Sequence, residues 1–524
     1  MGDPFHRSLL RTPRGRFRVS LPPRGEFLLG TPEPLSPAGA AGQSFCIPVG
    51  EMVGVQLGGS SLSPPGEGNQ FTVSYVQREK RQCWSLATLE FTVPPGSGLA
   101  PRWVDALQRR IQLHGVTRPK KLLVFVNPVG GRCRASKIYQ DQVAGLFALA
   151  GIQTEVVETQ RPHEAGDMIL QRDLSDLDGL VCVGGDGTFN EVMHALISRT
   201  QTKAGISEDD PMAQLLPPRL HIGIIPAGST DCVCFASVGT SDPVTSALHI
   251  IIGDSQPLDV CSVHHRGRLQ RYAVSLVGYG FYGDVVRDSE QHRWLGPVRY
   301  DFSGVSRGRS RSPQGWEWST EGVQAQGSVR CTPGDRSRRL EGRAAGQCVL
   351  GAGEEQLCLQ QAVWGPWSDS VSPPAGEWQR ERGRFLAINL TCMSSACPKS
   401  PEGLSPSAHL ADGSADLILV RECSSLGFLR HLSRHMDHRD QFDLPFVSVH
   451  RVQALRFTPS QLEESEEQGQ PAHRGWKGLC WAEHPLSCWS CDGETLPHAD
   501  ISVRVHRQLV HLFARGIEQQ LGLA

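Results

Sequence analysis

Four short glycine-bearing stretches hold the residues best placed to do chemistry. They are Asn127-Pro128-Val129-Gly130-Gly131, Gly184-Gly185-Asp186-Gly187, Pro226-Ala227-Gly228-Ser229-Thr230-Asp231 and Asp492-Gly493-Glu494. Glycine has no Cβ, so the chain can turn sharply and another molecule can reach the backbone. Successive N–H groups in such turns form concave hollows for anions, and a helix starting just beyond adds partial positive charge. The first stretch, followed by Arg132, Arg134 and Lys137, suits phosphate. In the second, Asp186 is the only side chain offered; at a reference pKa of ~3.9 it is ionised at neutral pH, as a base must be. A cap on the helix that follows is the competing structural role for it. No G-x-x-x-x-G-K-[ST], G-x-G-x-x-G or H-R-D pattern accompanies these loops.

The elements that position the loops read as a parallel α/β sheet. "KKLLVFV", "IQTEVVETQ" (Ile152 to Gln160), "DGLVCVGG" and "LHIGIIP" are nearly continuous apolar strands separated by helical segments, the pattern of strands covered on both faces. Ligands collect at the carboxyl ends of such strands. Three of the four end in a glycine loop and the fourth in Thr159-Gln160-Arg161-Pro162-His163. One glycine loop alone is an ordinary turn; three on successive strands indicate a site. Before this region, residues 1–115 read as short alternating strands closed by an amphipathic helix, Pro101 to Gly115, with Trp103, Leu107, Ile111 and Val104 on one face. After it, residues 257–524 read as a β-sandwich lobe whose last segment returns toward the first. The expected division is 1–115, 116–256 and 257–524.

Composition narrows the partners. The chain has 524 residues and a formal net charge of −2, so nucleic acid is not expected. Sixteen scattered cysteines and the absence of a signal-peptide core at the start point to reduced thiols and a cytoplasmic setting. No run reaches the ~20 apolar residues of a membrane span, and His6 stands where a myristoylation signal needs Ser or Thr. Membrane contact is therefore expected to be peripheral. Cys480, His484, Cys488 and Cys491 could be read as a zinc site, but a second well-spaced pair is missing, and no metal centre is expected.

"NPVGG", "GGDGTFNEV", "PAGSTDC" and "CDGE" resemble the diacylglycerol-kinase catalytic family of lipid kinases. "LHIGIIPAGSTDCVCFASVGTSDPVTSALHI" and "VSLVGYGFYGDVVRDSEQHRWLGPVRYDFSG" resemble its ceramide-phosphorylating branch. The resemblance implies transfer of the ATP γ-phosphate to the primary hydroxyl of ceramide, with Mg2+ arriving on ATP. It implies Asp186 as the base, with Gly184, Gly185, Gly187 and Asp284 beside the lipid. Asn127 to Gly131, Thr159 to His163, Glu191, Gly228, Ser229, Arg293, Arg299 and Asp492 to Glu494 would line the nucleotide. The position that in related sphingosine kinases holds an acid for the substrate's ammonium is Val286 here, which suits an uncharged lipid. The N-terminal strands and helix resemble a pleckstrin-homology domain. Arg7, Arg11, Arg14, Arg16, Arg18 and Arg24 could face anionic lipids such as phosphoinositides at the Golgi or plasma membrane. "GFLRHLSRHMDHRDQF" (Gly427 to Phe442) reads either as a core-facing helix, with Leu429, Leu432 and Met436 on one face, or as the calmodulin segment of a calcium-stimulated enzyme.

The resemblance breaks at Val305. From there to about Arg380 the chain is rich in Arg, Gly and Ser, and reads as disordered or aberrant insertion, including read-through of an intron. Two alternatives therefore stay open: a kinase for another neutral lipid such as diacylglycerol, or a non-catalytic lipid-binding variant of the fold. NAD kinases share the GGDG loop but not the flanking segments.

Overall fold

A computed structural model describes residues 6–22, 25–33, 43–58, 69–291, 310–312, 315–317, 325–333, 379–459 and 487–518, apart from 81, 116, 132, 399, 402 and 435–441. By internal contacts the chain forms two units. The first takes its described residues from Met1–Leu196, Pro218–Gln256 and His511–Ile517; the second takes them from Ile197–Pro217, Pro257–Val510 and Glu518–Ala524.

The first unit begins with β1 (His6–Thr12), β2 (Gly15–Leu21), β3 (Phe27–Pro32), β4 (Phe45–Pro48), β5 (Met52–Gly58), β6 (Gln70–Arg78) and β7 (Trp84–Thr92). They form an antiparallel sheet in the order β4-β3-β2-β1-β7-β6-β5. Alternation along each strand turns Leu10, Phe17, Val19, Leu28, Phe71 and Phe91 inward. The helix α1 (Leu99–His114) closes over them with Ala100, Trp103 and Leu107. Trp103 stacks on Phe71 with ring centroids 6.3 Å apart, and its Nε1 donates to Ser8 Oγ at 3.1 Å. Val104 and Ile111, expected on the same face, lie at its margin, while Arg110 is buried and donates to the Gly25 carbonyl.

Four parallel strands follow: β8 (Lys121–Val126), β9 (Gln153–Glu158), β10 (Gly179–Gly184) and β11 (His221–Pro226). Their order is β11-β10-β8-β9, and Ile222 of β11 also pairs in parallel with Leu512. Leu122, Leu123, Val124 and Phe125 are all fully buried, as a sheet covered on both faces demands. Between and after the strands run α2 (Ala135–Ile138), a π turn (Tyr139–Val143), α3 (Ala144–Leu149), α4 (Glu164–Gln171), α5 (Asp186–Ala204), α6 (Cys232–Val238) and α7 (Pro243–Ile252). The α7 start is capped by Asp242, whose carboxylate accepts from Thr245 N, with Pro243 in the first helical turn. The antiparallel and parallel parts of this unit share a core in which Val53, Val76 and Trp84 meet Phe147, Leu248 and Ile252. The Trp84 backbone N–H donates to Thr245 Oγ1 at 2.8 Å, and its ring stacks on His249 at 3.9 Å.

The second unit is antiparallel. It holds β12 (Ser255–His265, from Pro257 onward), β13 (Arg268–Ala273), β14 (Leu276–Gly280), α8 (Phe281–Gln291), β15 (Ser310–Ser312), β16 (Gly315–Glu317), β17 (Ala325–Pro333), β18 (Gln379–Thr391), β19 (Ala415–Arg421), α9 (Ser425–Arg434), β20 (Val447–Pro459), β21 (Trp489–Cys491), β22 (Glu494–Leu496) and β23 (Ile501–Phe513, to Val510). The long strands β18 and β20 are bridged by β17 at one end and by β19 at the other. The lobe expected as a β-sandwich is built as a connected antiparallel ladder whose main core holds Tyr279, Ile388, Leu417, Phe457 and Trp489, with a smaller apolar cluster around Phe281, Ile418 and Phe428. Part of the segment read as disordered is a strand: β17 completes the backbone bonding of β18 and β20, so pairing decides its conformation where its own apolar pattern is weak. Ser310–Ser312 and Gly315–Glu317 in the same segment pair as the short hairpin β15–β16, and the rest of 305–378 lies outside the described residues. The helix α9 takes the core-facing form, although Phe428 and His431 are the buried residues; Leu429 and Leu432 are half-buried, and Met436 lies outside the described residues.

Candidate active site

The carboxyl ends of β8, β10 and β11 bring the three glycine loops into contact. Asn127 N donates to Val183 O at 3.0 Å and Ala227 N to Gly184 O at 2.9 Å, so each loop leaves the sheet tied to its neighbour. Glycine is required where they meet. A Cβ at Gly131, whose φ is +59°, would fall 2.5 Å from the Ala227 carbonyl oxygen, and one at Gly228 would fall 2.6 Å from Gly185 Cα. Both contacts are with backbone and cannot be relieved by a rotamer change.

Side chains then set each loop's shape. Asn127 Oδ1 accepts from Val129 N at 3.2 Å and Gly130 N at 3.0 Å, and its Nδ2 donates to Thr188 Oγ1 at 3.0 Å. Pro128 starts the turn and leaves Val129 78% exposed at its tip. In the third loop Asp231, itself left-handed at φ +51°, accepts from Gly228 N at 2.9 Å, while Ser229 is exposed. Thr188 and Asp231 are site residues that the sequence reading did not single out. The spacing Gly228-Ser229-Thr230-Asp231, an aspartate three residues past a glycine, was the available signal.

Asp186 occupies the centre. It opens α5, yet its carboxylate reaches another helix: Oδ2 accepts from Cys232 N and Oδ1 from Val233 N, both at 3.0 Å. These are the first amides of α6, where the helix leaves N–H groups without intrahelical partners. Burial pushes the Asp186 carboxyl above the usual carboxylate range, and the two N–H bonds oppose that rise. Each oxygen keeps a second lone-pair site for a proton donor. The helix-cap reading of Asp186 is thus fulfilled on α6 rather than on α5, and it leaves room for a base.

The remaining expected nucleotide residues of this unit lie at the next strand end. Thr159 N and Oγ1 both donate to Val126 O, and Gln160 N donates to Glu164 Oε2. Arg161 is paired with Asp167 at 2.7 Å, and His163 has a left-handed backbone at the start of α4, with Pro162 before it. Glu191 Oε1 accepts from Gly166 N at 3.0 Å, which turns that oxygen toward α4.

Two families match this chain: the diacylglycerol kinase catalytic domain over residues 121–263 and the ceramide kinase C-terminal domain over residues 356–521. A human ceramide kinase is 44% identical over 98% of this chain and 96% of its own length. The chain belongs to the ceramide kinase family. An Arabidopsis thaliana ceramide kinase is 30% identical over 86% of this chain and 81% of its own. Among solved structures, a diacylglycerol kinase from Bacillus anthracis str. Sterne aligns over 76% of this chain and 97% of its own at 12% identity, with a TM-score of 0.43. The C-terminal match starts inside the stretch read as aberrant from the sequence.

In the second unit, the expected residues Asp284, Asp492, Gly493 and Glu494 have the following surroundings. Asp492 and Gly493, at φ +47° and +87°, form the two-residue turn of the β21–β22 hairpin. Asp492 Oδ2 accepts from Val274 N, and its Oδ1 accepts from Ser275 N and Leu276 N. Glu494 forms a forked pair with Arg271. Asp284 is 1% exposed and accepts from Ser487 Oγ at 2.8 Å and Arg287 Nη2 at 2.6 Å. Asp284 is thus turned into the fold and Asp492 holds its own turn, whereas Glu494 stays exposed beside Arg271. Arg293, Arg299, Cys480 and His484 lie outside the described residues, and Cys491 is buried in the core.

Proposed function

We infer that this chain is an ATP-dependent kinase that moves the γ-phosphate to the primary hydroxyl of ceramide, giving ceramide 1-phosphate and ADP. The observation that carries the reading is Asp186, held on the first amides of α6 where three glycine loops meet. As the lipid hydroxyl oxygen attacks the γ-phosphorus, its proton passes to a carboxylate oxygen of Asp186 and the bond to the leaving ADP oxygen breaks. The backbone N–H groups of Gly131 and Gly185 are offered to phosphate oxygens, while those of Gly130 and Gly228 hold the loops in shape by donating to Asn127 Oδ1 and Asp231 Oδ1. Phosphoryl transfer needs mainly such alignment and charge neutralisation. A carboxyl with a raised proton affinity is a stronger base, provided that it stays ionised at working pH. Its two N–H bonds favour that ionised form.

Mg2+ fits as a companion of ATP. Among the described residues no group of three His, Cys, Asp or Glu side chains could hold an ion, and Mg2+ in such sites leans on phosphates, water and one or two carboxylates. Bound, it would neutralise phosphate charge. Transfer of labelled phosphate from ATP to a panel of lipids in mixed micelles tests the substrate. Ceramide should be preferred over diacylglycerol by at least about tenfold in kcat/KM, and equal use of both would refute the substrate assignment.

Membrane attachment is assigned to the N-terminal sheet, read as a pleckstrin-homology-like module. Arg7, Leu9 and Arg11 of β1, Arg16 and Arg18 of β2, and Phe27 and Leu29 of β3 alternate outward, with Leu9 in register with Arg18 and Arg11 with Arg16. Leu9, Phe27 and Leu29 are 43%, 42% and 37% exposed. Basic and apolar groups on one face suit an anionic bilayer, phosphoinositides included, such as those of the Golgi or plasma membrane. No described helix is long and apolar enough to cross a membrane. Arg16→Glu with Arg18→Glu should weaken binding to phosphatidylserine vesicles by about tenfold or more; unchanged binding would remove this face. Calcium stimulation through calmodulin at 427–442 is also proposed, with Leu426, 79% exposed, as the accessible apolar contact beside the buried Phe428. Calcium-dependent capture on calmodulin, lost in Leu426→Glu, would support it, and capture without calcium would not.

A further inference from the structure

Two aspartates of the first unit have exchanged the jobs that a helix start ordinarily gives them. Asp231 stands just before α6, and its carbonyl accepts the first intrahelical bond, from Phe235 N at 2.9 Å. A residue in that place ordinarily has an extended backbone, and its side-chain oxygen accepts from the second or third amide of its own helix. Asp231 departs on both counts. Its backbone is left-handed, at φ +51° and ψ +45°, and its carboxylate caps none of the α6 amides. It turns back instead, and Oδ1 accepts from Gly228 N at 2.9 Å. The amides of Cys232 and Val233 go to Asp186, 46 and 47 positions earlier in the chain.

A left-handed backbone is unfavourable for a residue with a Cβ and persists only where surrounding contacts hold it. Here the bond to Gly228 N holds it. Asp231 is 9% exposed, and a Cβ on Gly185 would lie 3.8 Å from the same Oδ1, so the carboxylate is packed against the loop that carries Asp186. With an extended backbone, Asp231 would reach the α6 amides itself and compete with Asp186 for them. We propose that Asp231 is a positioning residue for phosphoryl transfer: by holding Gly228 N it keeps its own carboxylate off α6 and leaves Cys232 N and Val233 N to Asp186. This rests on the reading of Asp186 as the base.

The test compares the full chain with Asp231→Asn and Asp231→Ser, using ATP and ceramide in mixed micelles. Asparagine tolerates the left-handed backbone and keeps an acceptor for Gly228 N, so its single-turnover rate should stay within about threefold of the wild type. Serine favours the extended backbone and caps its own helix. Asp231→Ser should therefore lose about 30- to 100-fold in rate by displacing Asp186, with the thermal midpoint kept. Its acid limb should also move up in pH, because N–H bonds that favour the ionised Asp186 are lost. Among the described residues only burial and backbone N–H bonds shift that carboxyl, and the neighbouring acids Glu191 and Asp242 are committed to Gly166 N and Thr245 N. A wild-type rate in Asp231→Ser, an unmoved limb, or a lowered midpoint accompanying the loss overturns the proposal. So does a loss in Asp231→Asn as deep as in Asp231→Ser. If the wild type itself transfers no phosphate to ceramide, the kinase reading fails, and titration of the Asp186 carboxyl by its 13C resonance still decides the positioning. An upward shift in Asp231→Ser supports it, and no shift overturns it.

Discussion

At the scale of single residues, the account turns on how Asp186 is kept both basic and ionised. Its carboxyl sits above the ordinary range because of burial, and catalysis needs the ionised form. Activity should therefore fall as pH drops through a limb lying above the usual carboxylate value of ~3.9, rather than at it. A kcat/KM profile with no acid limb above that value would contradict this. Gly228→Ala is a sharper probe of the loops, since its Cβ would fall 2.6 Å from Gly185 Cα. It should lower kcat/KM by about 100-fold, because small displacements of aligned groups cost that much; wild-type kinetics would show that the loops need not touch. The position of Asp186 was legible in the sequence because glycines leave it alone at the end of an apolar strand. Its anchorage was not: the N–H groups of Cys232 and Val233 lie 46 and 47 positions away, and only folding brings them close.

At the scale of elements, the parallel strands β8 to β11 could be read because each is a continuous apolar run ended by a turn signal. What the acids of the second unit do could not be read, since a carboxylate is consumed or presented according to partners far along the chain. Asp492 is the clearest case. It looks like a ligand group in "CDGE", yet it ties the β21–β22 turn to the backbone of residues 274–276. Asp492→Ala would leave three backbone donors short of an acceptor and should cost about 3 kcal/mol in urea unfolding. A change below about 0.5 kcal/mol would mean that those bonds are not made. The strand β17 was illegible for a related reason: its place comes from the edges of β18 and β20 that it pairs with, not from its own composition.

At the scale of the whole molecule, the N-terminal strands and the parallel sheet are parts of one packed unit. Trp84 is 3% exposed and stacks on His249, and the guanidinium carbons of Arg78 and Arg515 each lie 5.3 Å from its ring centroid. Glu51 accepts from both arginines, at 2.6 Å and 3.2 Å. Trp84→Ala should cost about 3–5 kcal/mol and loosen both parts together, seen as a shared drop in their hydrogen-exchange protection. Loss of protection in β1 to β7 alone would show them to be separable. The sequence shows a change of texture near residue 115 but not this seam, because a tryptophan at the start of a strand carries no mark of what it will stack on. The central claim is that Asp186, at the meeting of three glycine loops, takes the proton from the lipid alcohol. Its most direct test is single-turnover transfer of labelled phosphate from ATP to ceramide by the wild type and by Asp186→Asn. The account predicts a fall of about 10²- to 10⁴-fold in the rate with ATP binding retained; transfer by the variant at the wild-type rate would contradict it.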